Sequence, residues 1–253
     1  MPHVTGGVCD SSSACGDQSG AIDEANSDSR RAGHMNELAL QSRTGYVVAS
    51  VRARILARRM KPGSKITVRL ICEEMGLSPT PVKEALAILE RQGLVTHAAG
   101  RGYFVAVIDA DDLLDIYDLR EVLDAVSGRI VAMMADTDRL IETLNDLIEK
   151  QRVCVTAGDT DAYSELDLAF HQAILESSGR TRLIEVGNDL LAQLRLGRVL
   201  STGVPGQMEN SIVAHREIVD AFKNHDEELA ERLVRAHVAN ASKALQRFIA
   251  SSP

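Results

Sequence analysis

Apolar residues repeat at helical spacing from about Thr44 onward. Val47, Val51 and Ile55 recur at intervals that place them on one face of a helix. The turn Lys61-Pro62-Gly63 ends this helix, because proline and glycine both interrupt helical hydrogen bonding. The pattern therefore predicts a first helix with one buried face.

A second helix is predicted from Thr67, a suitable N-cap, to about Met75. We expect this helix to bury Leu70 and Ile71. Gly76-Leu77 then makes a tight turn into the next helix.

Ser78 is a good N-cap for a third helix, which we expect to reach about Arg91 and to stop at Gly93. Pro79 and Pro81 both fall in its first turn, where a missing N–H group costs no helical hydrogen bond. The inner face of this helix carries Val82, Leu86 and Leu89.

Two β-rich pieces follow the third helix, at Leu94–His97 and Tyr103–Val107. Ala98–Gly102 connects them and includes a Gly-Arg-Gly turn. A helix-turn-helix followed by a two-stranded wing is typical of a DNA-reading module.

The rest of the chain is helix-patterned, and Asp109 to Asp112 supply acidic caps for the first of its helices. The predicted helices cover about 110–134, 137–157, 161–177, 180–200, 209–224 and 226–249. Consecutive amphipathic helices with short turns pack as an antiparallel bundle. The predicted fold class is mainly α: an N-terminal winged helix-turn-helix and a C-terminal all-α antiparallel helical bundle.

These patterns divide the chain into three parts. Residues 1–43 are rich in Ser, Gly, Asp and Ala with almost no apolar periodicity, so we expect a disordered arm. Residues 44–107 are the predicted DNA-binding domain, and residues 108–253 are the predicted helical domain.

Charge differs strongly among the three parts. Residues 44–107 carry ten Lys and Arg against four Asp and Glu, whereas residues 108–253 carry 15 against 26. Residues 1–43 add three against six, and the whole chain has a net charge of −8. A basic module joined to an acidic one is expected when only the first must approach a polyanion.

Composition excludes several other classes of protein. The chain has no apolar run of membrane-spanning length and no signal-peptide pattern, so we expect a cytoplasmic protein without membrane association. Its four cysteines lack paired metal-ligand or redox spacing, and we interpret Cys72 and Cys154 as reduced packing residues.

One set of residues in the helical domain has metal-binding chemistry. Asp167 and His171 are spaced to lie on one helix face, and His215 and His237 fall on two later helices. Three imidazoles and one carboxylate suit a divalent ion, Zn²⁺ above all, with Ni²⁺ or Mn²⁺ as alternatives. Spacing alone leaves open that these are ordinary surface or core histidines.

The segment KPGSKIT…EEMGLSPTPVKEALAILERQGLVTHAAGRGYFV resembles the winged helix-turn-helix of the GntR family of bacterial transcription regulators. In that family the start of the recognition helix reads the major groove, and the wing tip enters the minor groove. The resemblance implies that the DNA-binding residues here are Arg69, Ser78, Thr80, Lys83, Arg101 and Gly102. The alternative is that the basic members of this set are solvated surface residues.

Two positions depart from the family pattern. Pro79 and Lys83 stand where the family usually has arginine. Arginine grips guanine with two parallel hydrogen bonds, whereas lysine is a compact point charge. We therefore expect operator recognition to differ from that of typical members.

The helical domain resembles the FCD ligand-binding domain of the FadR subfamily. Its metal-binding members show Asp-x-x-x-His followed by two later histidines, which implies a metal site at Asp167, His171, His215 and His237. The family pattern also implies that Arg120 binds a carboxylate effector, with Asn188 as a further donor. The alternative for Arg120 is an ion pair with Asp124 on its own helix.

The combined hypothesis is a transcription regulator, a repressor, that binds a pseudo-palindromic operator as a homodimer and responds to a small organic acid held with a metal ion. A second hypothesis makes the metal ion itself the signal. A metalloenzyme is the third, but the chain has no His-Glu-x-x-His helix and no evident general base, so we expect no enzyme activity.

Overall fold

The computed structural model describes residues 43–201 and 206–251. The predicted arm at residues 1–43 lies outside this range apart from its last residue, and so do Cys9 and Cys15. Within the described ranges, no helix is long and apolar enough to cross a membrane.

The N-terminal part contains the predicted helices and wing. Helix α1 covers residues 43–56. The other elements are β1 (Lys65–Ile66), α2 (Val68–Met75), α3 (Pro79–Arg91), β2 (Val95–Ala98) and β3 (Gly102–Val105). α2, α3 and the two wing strands confirm the predictions to within two residues. α1 ends at residue 56, before the Lys61-Pro62-Gly63 turn that was predicted to end it, and Arg58 beyond it has a φ of +54°.

Strand β1 was not predicted. It is antiparallel to β3, with Lys65 opposite Phe104, and it completes a three-stranded sheet in the order β1-β3-β2. A strand of two residues has no alternation that sequence periodicity can detect, because its pairing with β3 defines it.

The prediction that α2 buries both Leu70 and Ile71 is wrong for one of them. Ile71 is 3% exposed, but Leu70 is 50% exposed. Consecutive helical residues point about 100° apart, so a short helix with a narrow buried face turns only one of the two inward.

The core of the N-terminal part forms where α3 packs against α1 and the sheet. The apolar residues predicted for α3 are fully buried together with the α1 stripe: Val82, Leu86, Leu89, Val47, Val51 and Ile55. Ser78 occupies the N-cap position with two prolines at the start of the helix. Gly76 ends α2 in the left-handed conformation (φ +65°), which a side chain would strain.

The C-terminal part contains six long helices within the described residues. They are α4 (Ala110–Ala132), α5 (Asp138–Ala157), α6 (Thr160–Ser177), α7 (Thr181–Ser201), α8 (Gln207–Lys223) and α9 (Glu227–Ser251). Asp109 and Asp112 form a capping box at the start of α4, as the acidic cluster predicted.

The six helices pack as a bundle in which α4 lies along α9 and α5 contacts both α6 and α8. Its interior has two apolar clusters. One surrounds Phe170 and Phe222, and the other surrounds Leu113 and Leu175. The candidate metal ligands and the residues that hold them lie on the five helices α4, α5, α6, α8 and α9.

We expect Leu86→Ala to lower the free energy of unfolding by about 2–5 kcal/mol, because Leu86 is fully buried and its truncation leaves a cavity. Leu70→Ala is the matched control, since half of that side chain is exposed, and we expect a change within about 0.5 kcal/mol. Urea unfolding at neutral pH measures both. Equal losses in the two variants would contradict the assigned core.

Candidate functional site

The four predicted metal ligands come together inside the bundle. Asp167 and His171 extend from α6, His215 from α8 and His237 from α9. All three histidines are buried, and the Asp167 side chain is 24% exposed. Residues far apart in sequence thus present one ligand atom each within 4.8 Å of one another.

The distances among these ligand atoms suit a small divalent ion. His237 Nε2 lies 3.2 Å from His171 Nε2 and 3.2 Å from His215 Nε2, and His215 Nε2 lies 3.6 Å from Asp167 Oδ1. Metal–nitrogen bonds of about 2.0–2.1 Å separate tetrahedral ligands by about 3.3 Å. The donor set and its spacing therefore fit Zn²⁺.

Asp124 fixes the orientation of His171. Its Oδ2 atom accepts from His171 Nδ1 at 3.2 Å and from Arg120 Nη2 at 2.7 Å, and all three side chains are buried. A carboxylate can only accept, so Nδ1 of His171 carries the hydrogen and Nε2 presents its lone pair to the cluster. The ion pair considered as the alternative role of Arg120 is present.

Gln151, a fully buried residue of α5, holds His215 in the same way. Its Oε1 atom lies 3.0 Å from His215 Nδ1, which directs the Nε2 lone pair of His215 toward the cluster. Sequence analysis did not identify Gln151. A signal was available, because this polar residue continues the buried stripe of Leu144 and Ile148 on α5.

The buried charges are balanced within the bundle. Burial raises the pKa of Asp124. The Arg120 guanidinium and the His171 contact lower this pKa by more than burial raises it, so the net pKa is about 2. Burial lowers the pKa of His215 and His237 well below the usual value, and the neighbouring imidazoles and Arg120 lower it further. Both imidazoles are therefore neutral at pH 7, which is the protonation state that binds a metal ion.

A cavity of about 70 Å³ lies beside the cluster. Its lining includes Asp167, His171, His237 and Arg120, together with apolar residues such as Leu194. The Nε atom of Arg120 is buried and has no hydrogen-bond partner among the described residues. A buried donor of a charged group without an acceptor is costly, and an anion in the cavity would satisfy it.

Asn188 is not in this cavity. It lies on the opposite side of α7, where it lines a separate space with Arg52 of α1, and its backbone carbonyl accepts from Arg52 at 3.4 Å. The structure therefore does not bring Asn188 and Arg120 together. Helical spacing cannot tell which neighbour each face of a helix meets, and this face meets the N-terminal part.

The predicted DNA-binding residues lie at the surface of the N-terminal part. Ser78, Thr80 and Lys83 occupy the exposed first turns of α3, while Arg101 and Gly102 lie on the wing. The Arg69 side chain is 80% exposed and lies 3.6 Å from Glu73 on its own helix. Lys83 has no ion-pair partner in the part of the chain that the structure describes, so its charge is available to a phosphate.

Comparison with known families identifies both parts of the chain. The model of the GntR family, bacterial regulatory proteins, matches residues 44–105. The model of the FCD domain matches residues 115–240. The GntR family consists of regulatory proteins and the relatives of the chain are transcriptional regulators, so the expectation of a non-enzymatic protein is confirmed.

Individual relatives are also transcriptional regulators. The chain is 28% identical over 209 residues to an HTH-type transcriptional regulator in an unstable DNA locus of Streptomyces ambofaciens, covering 82% of this chain and 86% of the relative. It is 23% identical over 233 residues to the galactonate operon transcriptional repressor of Escherichia coli, covering 82% and 98%. A GntR transcriptional regulator from Rhodococcus sp. RHA1 has a similar fold, with a TM-score of 0.64, 22% identity and coverage of 84% and 100%.

We expect the metal-free protein to lose about 2–3 kcal/mol of stability between about pH 7.5 and about pH 5.5. His215 and His237 stay neutral in the folded protein because their pKa values are lowered, whereas in the unfolded chain they take up protons below about pH 6.5. Asp124 does not contribute in this range, since with a pKa of about 2 it is ionised in both states.

Urea unfolding in the presence of a chelator measures this loss. His225→Ala is the control for the loss of a histidine remote from the cluster, because His225 is exposed in the turn before α9, where its Nδ1 lies 3.2 Å from the backbone carbonyl oxygen of Ala132. Equal stability at the two pH values would mean that the two imidazoles are not held neutral by the fold.

Proposed function

The chain belongs to the GntR family of bacterial regulatory proteins and carries an FCD domain, and on this premise we propose that it is a repressor controlled by a small carboxylate bound together with a metal ion. That it is a DNA-binding transcription regulator follows from the family. The effector, the metal ion, the direction of control and the homodimer are our proposal.

A single arrangement carries the proposal: a cluster of metal-binding side chains and an unsatisfied guanidinium line the same cavity. Arg120 gives one N–H group to Asp124 at 2.7 Å and leaves Nε without a partner among the described residues. His171 and His237 border the same space. A carboxylate has two oxygens, so one can accept from Arg120 while the other faces the metal ligands.

Asp167, His171, His215 and His237 would hold the ion. When bound, a divalent ion supplies a positive charge that attracts one carboxylate oxygen. Zn²⁺ fits the nitrogen-rich set best, and Ni²⁺ and Mn²⁺ are alternatives.

The name of one relative bears on both the effector and the direction of control. The Escherichia coli relative is a repressor of a galactonate operon, and galactonate is a sugar acid with one carboxylate. We therefore propose repression that a small hydroxylated carboxylate relieves. Such an acid would add hydroxyl groups that polar residues of the cavity, such as Ser164 and Ser211, are able to bind.

The outer face of α4 supports a homodimer. Leu119, Val122 and Val126 recur at helical spacing there, and they are 55%, 51% and 39% exposed. An apolar stripe of this kind on a folded domain favours contact with a second surface. Two copies joined in this way would present two recognition helices to the half-sites of a pseudo-palindromic operator.

The metal ion alone is a second candidate signal. One observation favours it: four protein side chains are enough to complete a tetrahedral site without any organic ligand. In that case operator affinity would follow metal occupancy and would not respond to carboxylates.

We expect Lys83→Ala to weaken binding to the operator by about 1–3 kcal/mol, because Lys83 is exposed at the start of α3. The probe is a duplex selected for wild-type binding from a random library, and fluorescence anisotropy measures affinity and stoichiometry. Two chains per duplex are expected. Lys150→Ala is the control, since Lys150 is an exposed residue of α5 that pairs with Asp146. Equal affinity of the two variants would show that Lys83 does not contact DNA.

We expect His215→Ala to lose tight Zn²⁺ binding in calorimetry, because it removes one ligand of four. Arg120→Lys keeps a positive charge beside Asp124 but removes the guanidinium, so it should bind Zn²⁺ and lose the response to carboxylates.

Fluorescence anisotropy with the selected duplex measures that response. The protein is either chelator-treated or loaded with Zn²⁺, and galactonate or gluconate is added to each. Release of DNA only with both Zn²⁺ and an acid supports the proposal. A response to Zn²⁺ alone supports the second candidate. A wild-type protein that binds neither Zn²⁺ nor these acids would contradict both.

A further inference from the structure

Helix α7 belongs to two hydrophobic cores at once. Leu190, Leu191 and Leu194 are buried in the core of the bundle. Ala192 and Leu196, which point to the other side of the same helix, are buried in the core of the N-terminal part. Any movement of α7 within the bundle therefore displaces residues that pack in the DNA-binding part.

Polar contacts join α7 to α1 along the same face. Arg52 Nη2 lies 3.0 Å from Asp189 Oδ1, and Arg58 Nη2 donates to the backbone carbonyl of Leu196 at 3.2 Å. These two arginines, Arg52 in α1 and Arg58 in the turn after it, thus bind the helical domain. Asp189 is partly buried by this contact, and that burial raises its pKa in spite of the favourable Arg52 charge.

A further contact reaches the recognition helix itself. Gln193 Nε2 donates to the backbone carbonyl of Gln92 at 3.0 Å, and Gln92 is the C-cap residue of α3. The packing around this bond is close. A Cβ atom on Gly93 would lie 2.7 Å from Cδ of Gln193, so a side chain there would displace the end of Gln193, and the φ of +71° at Gly93 would strain any residue other than glycine.

The next residue along α7 lines the cavity beside the metal-ligand cluster. That residue is Leu194, and one position further Arg195 pairs with Glu165 on α6, the helix that carries Asp167 and His171. One turn of α7 therefore contacts both the cavity and the end of the recognition helix. No other described side-chain hydrogen bond joins the bundle to α3 or to the residues that end it.

We propose that Gln193 is a positioning residue for DNA binding, and that α7 transmits the state of the bundle to the recognition helix through it. The Gln193 contact holds the end of α3 at a fixed place relative to the bundle, and the Arg52–Asp189 pair holds α1. In a dimer joined through its bundles, this fixes the separation of the two recognition helices. The dimer and the response to a ligand rest on the proposed function, whereas the contact itself does not.

Gln193→Met tests the proposal, because methionine keeps the volume of the side chain and removes its donor. The matched control is Gln172→Met on α6, where an exposed glutamine donates to Glu176 of its own helix at 2.8 Å. Asp189→Asn is a second variant that weakens the α1 contact from the bundle side. Thermal melting and Zn²⁺ affinity establish that each variant is folded.

The readout is discrimination of half-site spacing, which a general loss of stability does not alter. The probes are the selected duplex and the same duplex with one base pair inserted between its half-sites. We expect wild type and Gln172→Met to prefer the original spacing by about tenfold or more, and Gln193→Met by about threefold or less, with Asp189→Asn in between. Wild-type discrimination that persists in Gln193→Met would overturn the proposal.

A wild-type protein without spacing preference would overturn both the fixed orientation and the proposed dimer on DNA. The effect of Zn²⁺ and galactonate on affinity for the original duplex distinguishes a failure of the positioning role from a failure of the proposed effector function. If wild type responds and Gln193→Met responds less, α7 transmits the signal. If wild type discriminates spacing but does not respond to these ligands, the proposed effector function fails while the positioning role of Gln193 stands.

Discussion

The ion pair between Arg120 and Asp124 is the interaction on which the interior of the bundle depends. Removing a guanidinium and a carboxylate from water costs several kcal/mol for each ion, so neither is stable there without the other. Asp124 also accepts from His171 at 3.2 Å, so one carboxylate balances the charge of Arg120 and orients a candidate metal ligand. Because the pair uses only part of the guanidinium, Arg120 still has a buried donor without a partner among the described residues, and Arg120 lines the cavity. The ion pair and the carboxylate-binding role, which were alternatives for Arg120 in the sequence, are compatible in the structure.

Sharing of α7 between two cores is the second constraint. Family resemblance implied a pocket residue at Asn188, but that position lies on the face of α7 that meets α1. The same face carries Asp189, Ala192 and Gln193, all of which contact the DNA-binding part. The bundle therefore also has a structural role in the DNA-binding part, because one of its helices completes the hydrophobic core of that part.

Much of the fold was predictable because its signals are local. Helical periodicity, the Ser78 cap, the capping box at Asp109 and the wing turn each depend on residues close together in the chain, and the observed helix ends lie within a few residues of those predicted. Predictions failed where a local sequence pattern is compatible with two structures of similar free energy. Leu70 and Ile71 are equally apolar, and only the position of α2 against its neighbours decides which one is buried.

The sequence by itself determined the order of the helices and the DNA-reading module, and together with the family resemblance it singled out the four candidate metal ligands, because spacing and side-chain chemistry are properties of the chain. The tertiary structure alone decided that Gln151 orients His215, that Arg120 keeps a free donor, and that Gln193 contacts the end of α3. Each of these depends on the distance between atoms of helices that are remote in sequence. Such distances are set by how the helices pack, and no periodicity along one helix records them.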